Sequence, residues 1–337
     1  MQSYFIHCKS FILCFLLFSS IVCYGRKPEL DSTGITTSTK YLPIANDRDR
    51  ISVKATVMNC PDAYFRLDTG TNGRIIIDST FFYKNIDTTN LKRVSPKYKM
   101  YYWRTYYEGN IPVKIGNNVF YYKRVEVNNQ RRHYSNLNYD LIGLIGEEAF
   151  LNKISVIDFD KNEIAFFDSI TIDSTYYAIP LYSLNENLHH NRNQKFINVE
   201  GFKTKNGNKK KAYFLFDTGC GQYAIMMKTS FAKDLKLPAK RETLHGTRES
   251  HYRWGIDSLA LGAVKMYHVP VRSVTKDSFD YFEALEGGDG LFGMPLIRRF
   301  NIILDYKKNV LYLKVRDGFK NNTKIQSTKL DYTNKVE

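Results

Sequence analysis

The stretch that decides the fold is Phe214-Leu215-Phe216-Asp217-Thr218-Gly219, because the chain contains a near copy of it at Phe65-Arg66-Leu67-Asp68-Thr69-Gly70. In both copies an apolar run typical of a buried strand leads into Asp-Thr-Gly. At average residue usage one Asp-Thr-Gly is expected by chance in roughly a few per cent of chains this long. Two copies in matching contexts are much rarer, so the pair indicates a duplicated structural unit.

The segments around these copies also recur in the same order. The two aspartates are 149 residues apart, and three further landmarks recur with displacements of 146 to 147 residues. These landmarks are Gly109–Gly116 with Gly255–Gly262, Gly143–Gly146 with Gly290–Gly293, and Ser155–Phe159 with Ile302–Tyr306. A long internal repeat of this kind predicts two copies of one supersecondary arrangement. Alternating apolar and polar residues with short turns predict that both copies are all-β.

The ends of the chain set the predicted domain boundaries. Residues 1–25 combine a polar start that holds Lys9 with an apolar run and small residues before Arg26, which predicts a secretory signal peptide. We therefore divide the chain into residues 1–25 as signal peptide, 26–170 as N-terminal lobe, 171–318 as C-terminal lobe and 319–337 as a polar tail. Residues 30–50 stay open between linker, pro-segment and first strand.

Charge and cysteine content narrow the function classes. The chain has 49 Lys and Arg against 34 Asp and Glu, a formal net charge of +15. The densest basic cluster, Lys203–Lys211, has the Asn-Gly-Asn of a hairpin tip, so we expect scattered solvated charge and no nucleic-acid partner. Three of the five cysteines lie in the leader; Cys60 and Cys220 remain, either as a pair or as two thiols. No metal site is expected, because His189-His190 has no acid or cysteine at ligand spacing.

Each Asp-Thr-Gly places a carboxylate after a buried strand, beside a hydroxyl and a glycine that permits a tight turn. Two such turns facing each other would bring Asp68 and Asp217 together. Two carboxylates at such a short distance cannot both ionise, so they would share one proton. The alternative for a single copy is an ordinary turn whose Asp and Thr bond their own backbone. Two copies in duplicated settings favour the pair.

These residues carry a resemblance to a known family. The two Asp-Thr-Gly turns, with Gly290-Leu291-Phe292-Gly293 and the following Ile302-Ile303-Leu304-Asp305-Tyr306, resemble bilobal aspartic proteases of the pepsin and retropepsin superfamily, in particular the bacterial secreted aspartyl-protease-like group. The resemblance spans roughly residues 40–315. It implies an acid-protease fold with two pseudo-twofold-related lobes and a central cleft, no cofactor, and peptide hydrolysis by water activated between Asp68 and Asp217.

The resemblance also implies roles for the residues next to the aspartates. Thr69 and Thr218 would brace the turns across the pseudo-twofold axis, and Gly70 and Gly219 would let backbone N–H groups reach the carboxylates. Thr71 keeps the hydroxyl that the family places after Asp-Thr-Gly, whereas Cys220 replaces it with a thiol, a poorer donor. By its spacing before Gly109, Tyr102 matches the tyrosine of the family's flap, with Tyr101, Tyr106 and Tyr107 as rivals.

The sequence thus predicts an exported, monomeric aspartic endopeptidase that acts on a peptide or protein substrate in the periplasm, at the cell surface or outside the cell. Two alternatives stay open. A catalytically silent peptide- or glycan-binding protein would keep the fold, and the substituted Cys220 favours it. The second alternative is a basic protein that binds an anionic surface or nucleic acid, and the predicted leader argues against nucleic acid. Membrane association, either peripheral or through a lipid on Cys23, would change the location and leave the chemistry unchanged.

Overall fold

The computed structural model describes residues 40–45, 50–71, 73–95, 104–129, 139–184, 193–221, 223–235, 240–243, 250–274 and 288–325. The strands of the first half are β1 (Leu42–Pro43), β2 (Ser52–Val57), β3 (Ala63–Leu67), β4 (Ile75–Asp78), β5 (Lys92–Val94), β6 (Thr105–Ile115), β7 (Asn118–Asn128), β8 (Leu141–Ile145), β9 (Ile154–Asp158) and β10 (Glu163–Phe167). Those of the second half are β11 (Tyr177–Tyr182), β12 (Phe196–Lys203), β13 (Lys209–Phe216), β14 (Ile225–Lys228), β15 (Lys240–Thr243), β16 (Ser250–Leu261), β17 (Val264–Val274), β18 (Gly290–Phe292), β19 (Phe300–Asp305), β20 (Val310–Val315) and β21 (Thr323–Ile325).

The described helices are all short. They are α1 (Ser79–Asn85), α2 (Glu148–Leu151), α3 (Thr229–Asp234), α4 (Met294–Ile297) and a 3₁₀ turn at Asp317–Phe319. None of the helices in these ranges is long and apolar enough to cross a bilayer. The fold is therefore mostly β, as the alternating sequence pattern predicts.

The two halves share one strand arrangement. In the first, β8 lies between β3, which it pairs in parallel, and β4, which it pairs antiparallel. In the second, β18 lies in the same way between β13 and β14. In each half, the strand that follows the aspartate turn pairs in parallel with the second strand of a long hairpin. In the first half β4 pairs with β7, and in the second half β14 pairs with β17. This confirms the predicted fold class: an all-β, pepsin-like arrangement of two pseudo-twofold-related lobes.

The inserted strand of each half passes close to its neighbour, and a glycine at the crossing permits this. A Cβ on Gly143 would lie 1.9 Å from the Ile76 carbonyl oxygen, and one on Gly290 would lie 2.0 Å from the Met226 carbonyl oxygen. Real Cβ atoms do not approach backbone so closely, so any larger residue would push the strands apart. The repeated glycines thus fix the path of the chain behind each aspartate.

Both halves contribute to a central antiparallel sheet. Strands β9 and β10 from the first half and β19 and β20 from the second lie side by side, and β9 pairs directly with β19. The core strands read as continuous apolar runs because both of their faces are covered. In β4, for example, the consecutive residues Ile75, Ile76 and Ile77 are all buried. Burying each side chain of this size contributes about 2 kcal/mol.

Three segments left partly open by the sequence now have a structure. Residues 42–43 pair with β10, so part of the segment 30–50 is a strand. Residues 323–325, within the predicted tail, pair with β17. The basic cluster Lys203–Lys211 is confirmed as a hairpin tip, since β12 and β13 pair on either side of it. The leader, residues 1–25, lies outside the described residues, and the domain boundaries remain a prediction.

Candidate active site

The two aspartates occupy equivalent places at the ends of β3 and β13. The backbone N–H of Asp68 donates to the Ile145 carbonyl, and that of Asp217 donates to the Phe292 carbonyl, both at 3.0 Å. Each aspartate is therefore held by the strand inserted next to its own. Their residues are only 9% and 8% exposed, so neither carboxyl is fully solvated.

The inner oxygen of each carboxylate accepts two backbone hydrogen bonds from its own turn. Oδ1 of Asp68 accepts from the N–H groups of Gly70 and Thr71, at 2.9 and 3.0 Å. Oδ1 of Asp217 accepts from those of Gly219 and Cys220, at 2.8 and 3.1 Å. Backbone N–H donors stabilise the ionised form of a carboxyl and fix its orientation. The predicted role of both turns is therefore present in the geometry.

The threonines cross between the halves. Oγ1 of Thr69 accepts from the Thr218 N–H at 3.0 Å and donates to the Phe216 carbonyl at 2.6 Å. Oγ1 of Thr218 accepts from the Thr69 N–H at 3.0 Å and donates to the Leu67 carbonyl at 2.8 Å. Both threonines are fully buried, so all four bonds are shielded from water. The two turns are thus locked together, as the resemblance implies.

The glycines bring each turn against the opposite aspartate. A Cβ on Gly70 would lie 2.7 Å from the carboxyl carbon of Asp217, and one on Gly219 would lie 2.2 Å from Oδ2 of Asp68. Burial, and next the neighbouring Asp68 carboxylate, raise the pKa of Asp217 well above its usual range. The structure therefore brings Asp68 and Asp217 together, each against the glycine of the opposite turn.

The turns differ at the residue after Asp-Thr-Gly. The Thr71 hydroxyl donates to the outer oxygen of Asp68 at 2.8 Å. The Cys220 thiol instead lies 3.8 Å from the Tyr223 carbonyl. Burial, followed by the nearby Asp217, raises the pKa of the Cys220 thiol, so it stays protonated at neutral pH. Both Cys60 and Cys220 are free, which resolves the alternative that the sequence left open.

Two acids beside the first turn, buried Glu147 and half-buried Glu148, escaped the sequence reasoning. The backbone N–H of Glu147 donates to the Thr71 carbonyl at 3.2 Å, and Met294 makes the equivalent bond to Cys220 at 2.9 Å. Glu147 is fully buried, and burial, with Glu148 next in effect, raises its pKa to about 9. Burial raises the pKa of Glu148 to about 7. The repeat offered a signal for Glu147, because it aligns this carboxylate with the apolar Met294 of the second half.

Two further residues that the sequence reasoning missed bond the turns from the opposite half. The Arg50 Nε donates to the Gly219 carbonyl at 2.8 Å. The Gln194 Nε2 donates to the Gly70 carbonyl at 3.1 Å. Each residue stands two positions before the strand that pairs with the aspartate strand of its half: β2 pairs with β3, and β12 pairs with β13. That shared position is the signal in the repeat that could have found them.

The remaining predictions concern substrate contacts and metals. Tyr102 and its rival Tyr101 lie outside the described residues. Tyr107 is buried with its ring 5.0 Å from that of Phe82, and Tyr106 lies beneath the Arg124 guanidinium. Over the described parts of the chain, no group of three or more His, Cys, Asp or Glu side chains could hold a metal ion.

Comparisons with known proteins add a likeness of fold. No family model matches the chain, and no curated protein matches it. Among solved structures it is similar to the crystal structure of aspartic proteinase from Irpex lacteus, with 13% sequence identity and a TM-score of 0.48. The match covers 83% of this chain and 98% of that one. At this identity the function has to be argued from the chain's own residues.

Proposed function

We propose that the protein is an exported aspartic endopeptidase that hydrolyses peptide bonds with a water held between Asp68 and Asp217. The observation that carries the proposal is the closed hydrogen-bond network around the two carboxyls. Each aspartate accepts two backbone N–H bonds, and the crossed threonines fix one turn against the other. A network in which every member is satisfied holds catalytic groups in place before substrate arrives.

The chemistry follows from the different protonation of the two acids. The ionised carboxylate, which we assign to Asp68, takes a proton from the water as its oxygen adds to the scissile carbonyl carbon. Protonated Asp217 donates its proton to the carbonyl oxygen, which gives a tetrahedral diol. Asp68 then gives its proton to the amide nitrogen while Asp217 takes a proton from a diol hydroxyl; the C–N bond breaks, the amine and the carboxylic acid leave, and the starting pair is restored. The raised pKa of Asp217 supports this assignment.

The substrate we propose is an extended peptide or protein segment, bound by β-type hydrogen bonds by a monomeric enzyme. We propose export to the periplasm, the cell surface or the medium because of the predicted leader, and membership of the bacterial secreted group because of the resemblance of the two Asp-Thr-Gly turns. Nucleic acid is not proposed as a partner, because the densest basic cluster is one hairpin tip.

A mixed peptide library, incubated from acid to neutral pH, tests the proposal. The wild type should cleave it, Asp217→Asn should not, and a statine-type mimic of the tetrahedral diol should block the wild type. Asp168→Asn is the matched control, because that carboxylate is exposed and pairs with Lys153 at the surface. A folded wild type that cleaves nothing at any pH, even after removal of residues 26–39, which precede β1, would end the enzyme proposal.

One observation favours a second function, a catalytically silent peptide-binding protein. The outer oxygen of Asp217 has no hydroxyl donor at position 220, where the thiol instead faces Tyr223. Binding of the same library without turnover, unaffected by Asp217→Asn, would favour this alternative. Turnover that disappears in Asp217→Asn would exclude it.

A further inference from the structure

Arg50 and Gln194 donate equivalent hydrogen bonds to the two Asp-Thr-Gly turns. In arginine and in glutamine the bonding nitrogen is the fourth side-chain atom, so Nε and Nε2 lie at the same reach from the backbone. Arg50 belongs to the first half and bonds the Gly219 carbonyl of the second. Gln194 belongs to the second half and bonds the Gly70 carbonyl of the first. A carbonyl only accepts, so the amide nitrogen of Gln194 must be the atom that faces Gly70.

Each of these carbonyls belongs to a peptide group that also bonds an aspartate. The peptide that joins Gly219 to Cys220 accepts from Arg50 at its oxygen and donates from its N–H to Oδ1 of Asp217. The peptide that joins Gly70 to Thr71 accepts from Gln194 and donates to Oδ1 of Asp68. A bond accepted at the oxygen polarises the peptide and strengthens the bond that its N–H donates.

The two donors differ in charge. The guanidinium of an arginine is always charged, whereas a glutamine amide is neutral. The charged donor serves the turn of Asp217, which lacks the hydroxyl that Thr71 gives to Asp68. The neutral donor serves the turn that already has that hydroxyl. The molecule therefore supplies the stronger donor on the side where the direct donor is missing.

We propose that Arg50 and Gln194 are positioning residues, each holding across the boundary between the halves the peptide that orients the opposite aspartate, and that the charge of Arg50 compensates for the missing hydroxyl at Cys220. The proposal rests on the proposed function, because it concerns the same acid pair. It assigns neither residue a contact with substrate or with the reacting atoms.

The charge should act on the ionisation of the pair. The other groups around Asp217 are Asp68 on the opposite turn, Cys220 on its own turn and buried Tyr306 after β19. Glu147 faces Tyr306 and Asp68 from the start of α2. Two positive charges act on these groups, Arg50 on the Cys220 thiol and Arg74 on Glu147, and Arg50 is the one that bonds the turn of Asp217. Removing the charge should therefore favour the protonated pair and raise its upper apparent pKa.

The test is a titration of the aspartate carboxyls by ¹³C NMR, with the pair's resonances identified from Asp68→Asn and Asp217→Asn. Arg50→Gln removes the charge and keeps the bonding nitrogen. It should raise the upper apparent pKa by about 0.5 unit, roughly a threefold change in proton affinity. Gln194→Met is the matched control on the neutral side and should move it by less. Arg50→Lys restores the charge and should return the value towards wild type.

The outcomes separate this proposal from the proposed function, because the titration needs no turnover. An unchanged titration in folded Arg50→Gln would overturn the role of Arg50, even in an active enzyme. A shifted titration without any cleavage would support the role of Arg50 and count against the peptidase. If Arg50→Gln fails to fold, Arg50→Met takes its place, since it also removes the charge: an upper value raised in Arg50→Met and not in Arg50→Lys supports the charge role, and the wild-type value in both opposes it.

Discussion

The turn of Asp68 and the turn of Asp217 have nearly the same backbone and different surroundings. Both turns have the hydrogen bond at the strand end, the two N–H bonds to Oδ1 and the bonds of the crossed threonine. The lengths of equivalent bonds agree within about 0.2 Å. The differences lie one residue further out. Thr71 is matched by Cys220, Glu147 by Met294, and Gln194 by Arg50. The comparison teaches that the duplication preserves the bonds that hold the carboxyls and varies the residues one shell further out.

The largest effect is expected where the two turns touch. Gly219→Ala would place a Cβ 2.2 Å from Oδ2 of Asp68, and Gly70→Ala would place one 2.7 Å from Asp217. Both variants should lose about 3 kcal/mol or more of unfolding free energy, Gly219→Ala more than Gly70→Ala. Urea unfolding measures this. Gly255→Ala is the control, since nothing lies within 4 Å of its Cβ position, and it should be close to neutral.

The crossed threonines should behave as equals. Thr69→Val and Thr218→Val each remove one hydroxyl and leave a buried N–H and a buried carbonyl without their partners. We expect each to cost about 2–3 kcal/mol, and the double variant to cost less than the sum. The exposed Thr171→Val should change little. Full additivity in the double-mutant cycle would contradict a shared network.

The sequence predicted this common part and missed the differences for a physical reason. The strands, the inserted glycines and the Asp-Thr-Gly turns depend on local pattern and repeat in both halves, so they could be read from spacing. Arg50, Gln194 and Glu147 act through contacts that residues far apart in sequence make only after folding. Arg50 reaches a carbonyl 169 residues away, from a segment whose structure the sequence left open. No local pattern encodes such a bond.

Glu147 is a buried acid of the first half, and it should make the stability of the protein depend on pH. Its pKa is raised from 4.5 to about 9 in the folded chain, so between these values the folded state holds a proton that the unfolded state has released. The free energy of unfolding therefore falls as pH rises between these values, by at most about 1.4 kcal/mol per pH unit. In Glu147→Gln this slope should disappear, and the variant should gain on the wild type between pH 5 and 8.

Urea unfolding at these two pH values checks this expectation. Glu200→Gln, which removes an exposed carboxylate, should follow the wild type at both. Glu147→Met copies the residue of the second half and should remove the slope as Glu147→Gln does. A Glu147→Gln variant that loses stability relative to the wild type as pH rises would contradict the assignment of a protonated, buried acid.

The smallest effect is an exchange of the residues that differ between the turns. Cys220→Thr should supply a hydroxyl to the outer oxygen of Asp217, which stabilises its ionised form. The upper apparent pKa of the pair should then fall by about one unit. Thr71→Cys, the converse change, removes the bond to Asp68 and should raise the lower apparent pKa. The pH profile of kcat/KM measures both, and shifts in the opposite directions would refute the assigned roles.

The central claim is that the two halves supply one acid pair that works as a unit. The most direct test compares kcat/KM for wild type, Asp68→Asn, Asp217→Asn and the double variant on one cleaved peptide. Each single variant should lose activity by about a thousandfold or more, and the double variant should lose no more than the worse single one. A single variant that keeps most of its activity, or losses that multiply in the double variant, would contradict a shared pair.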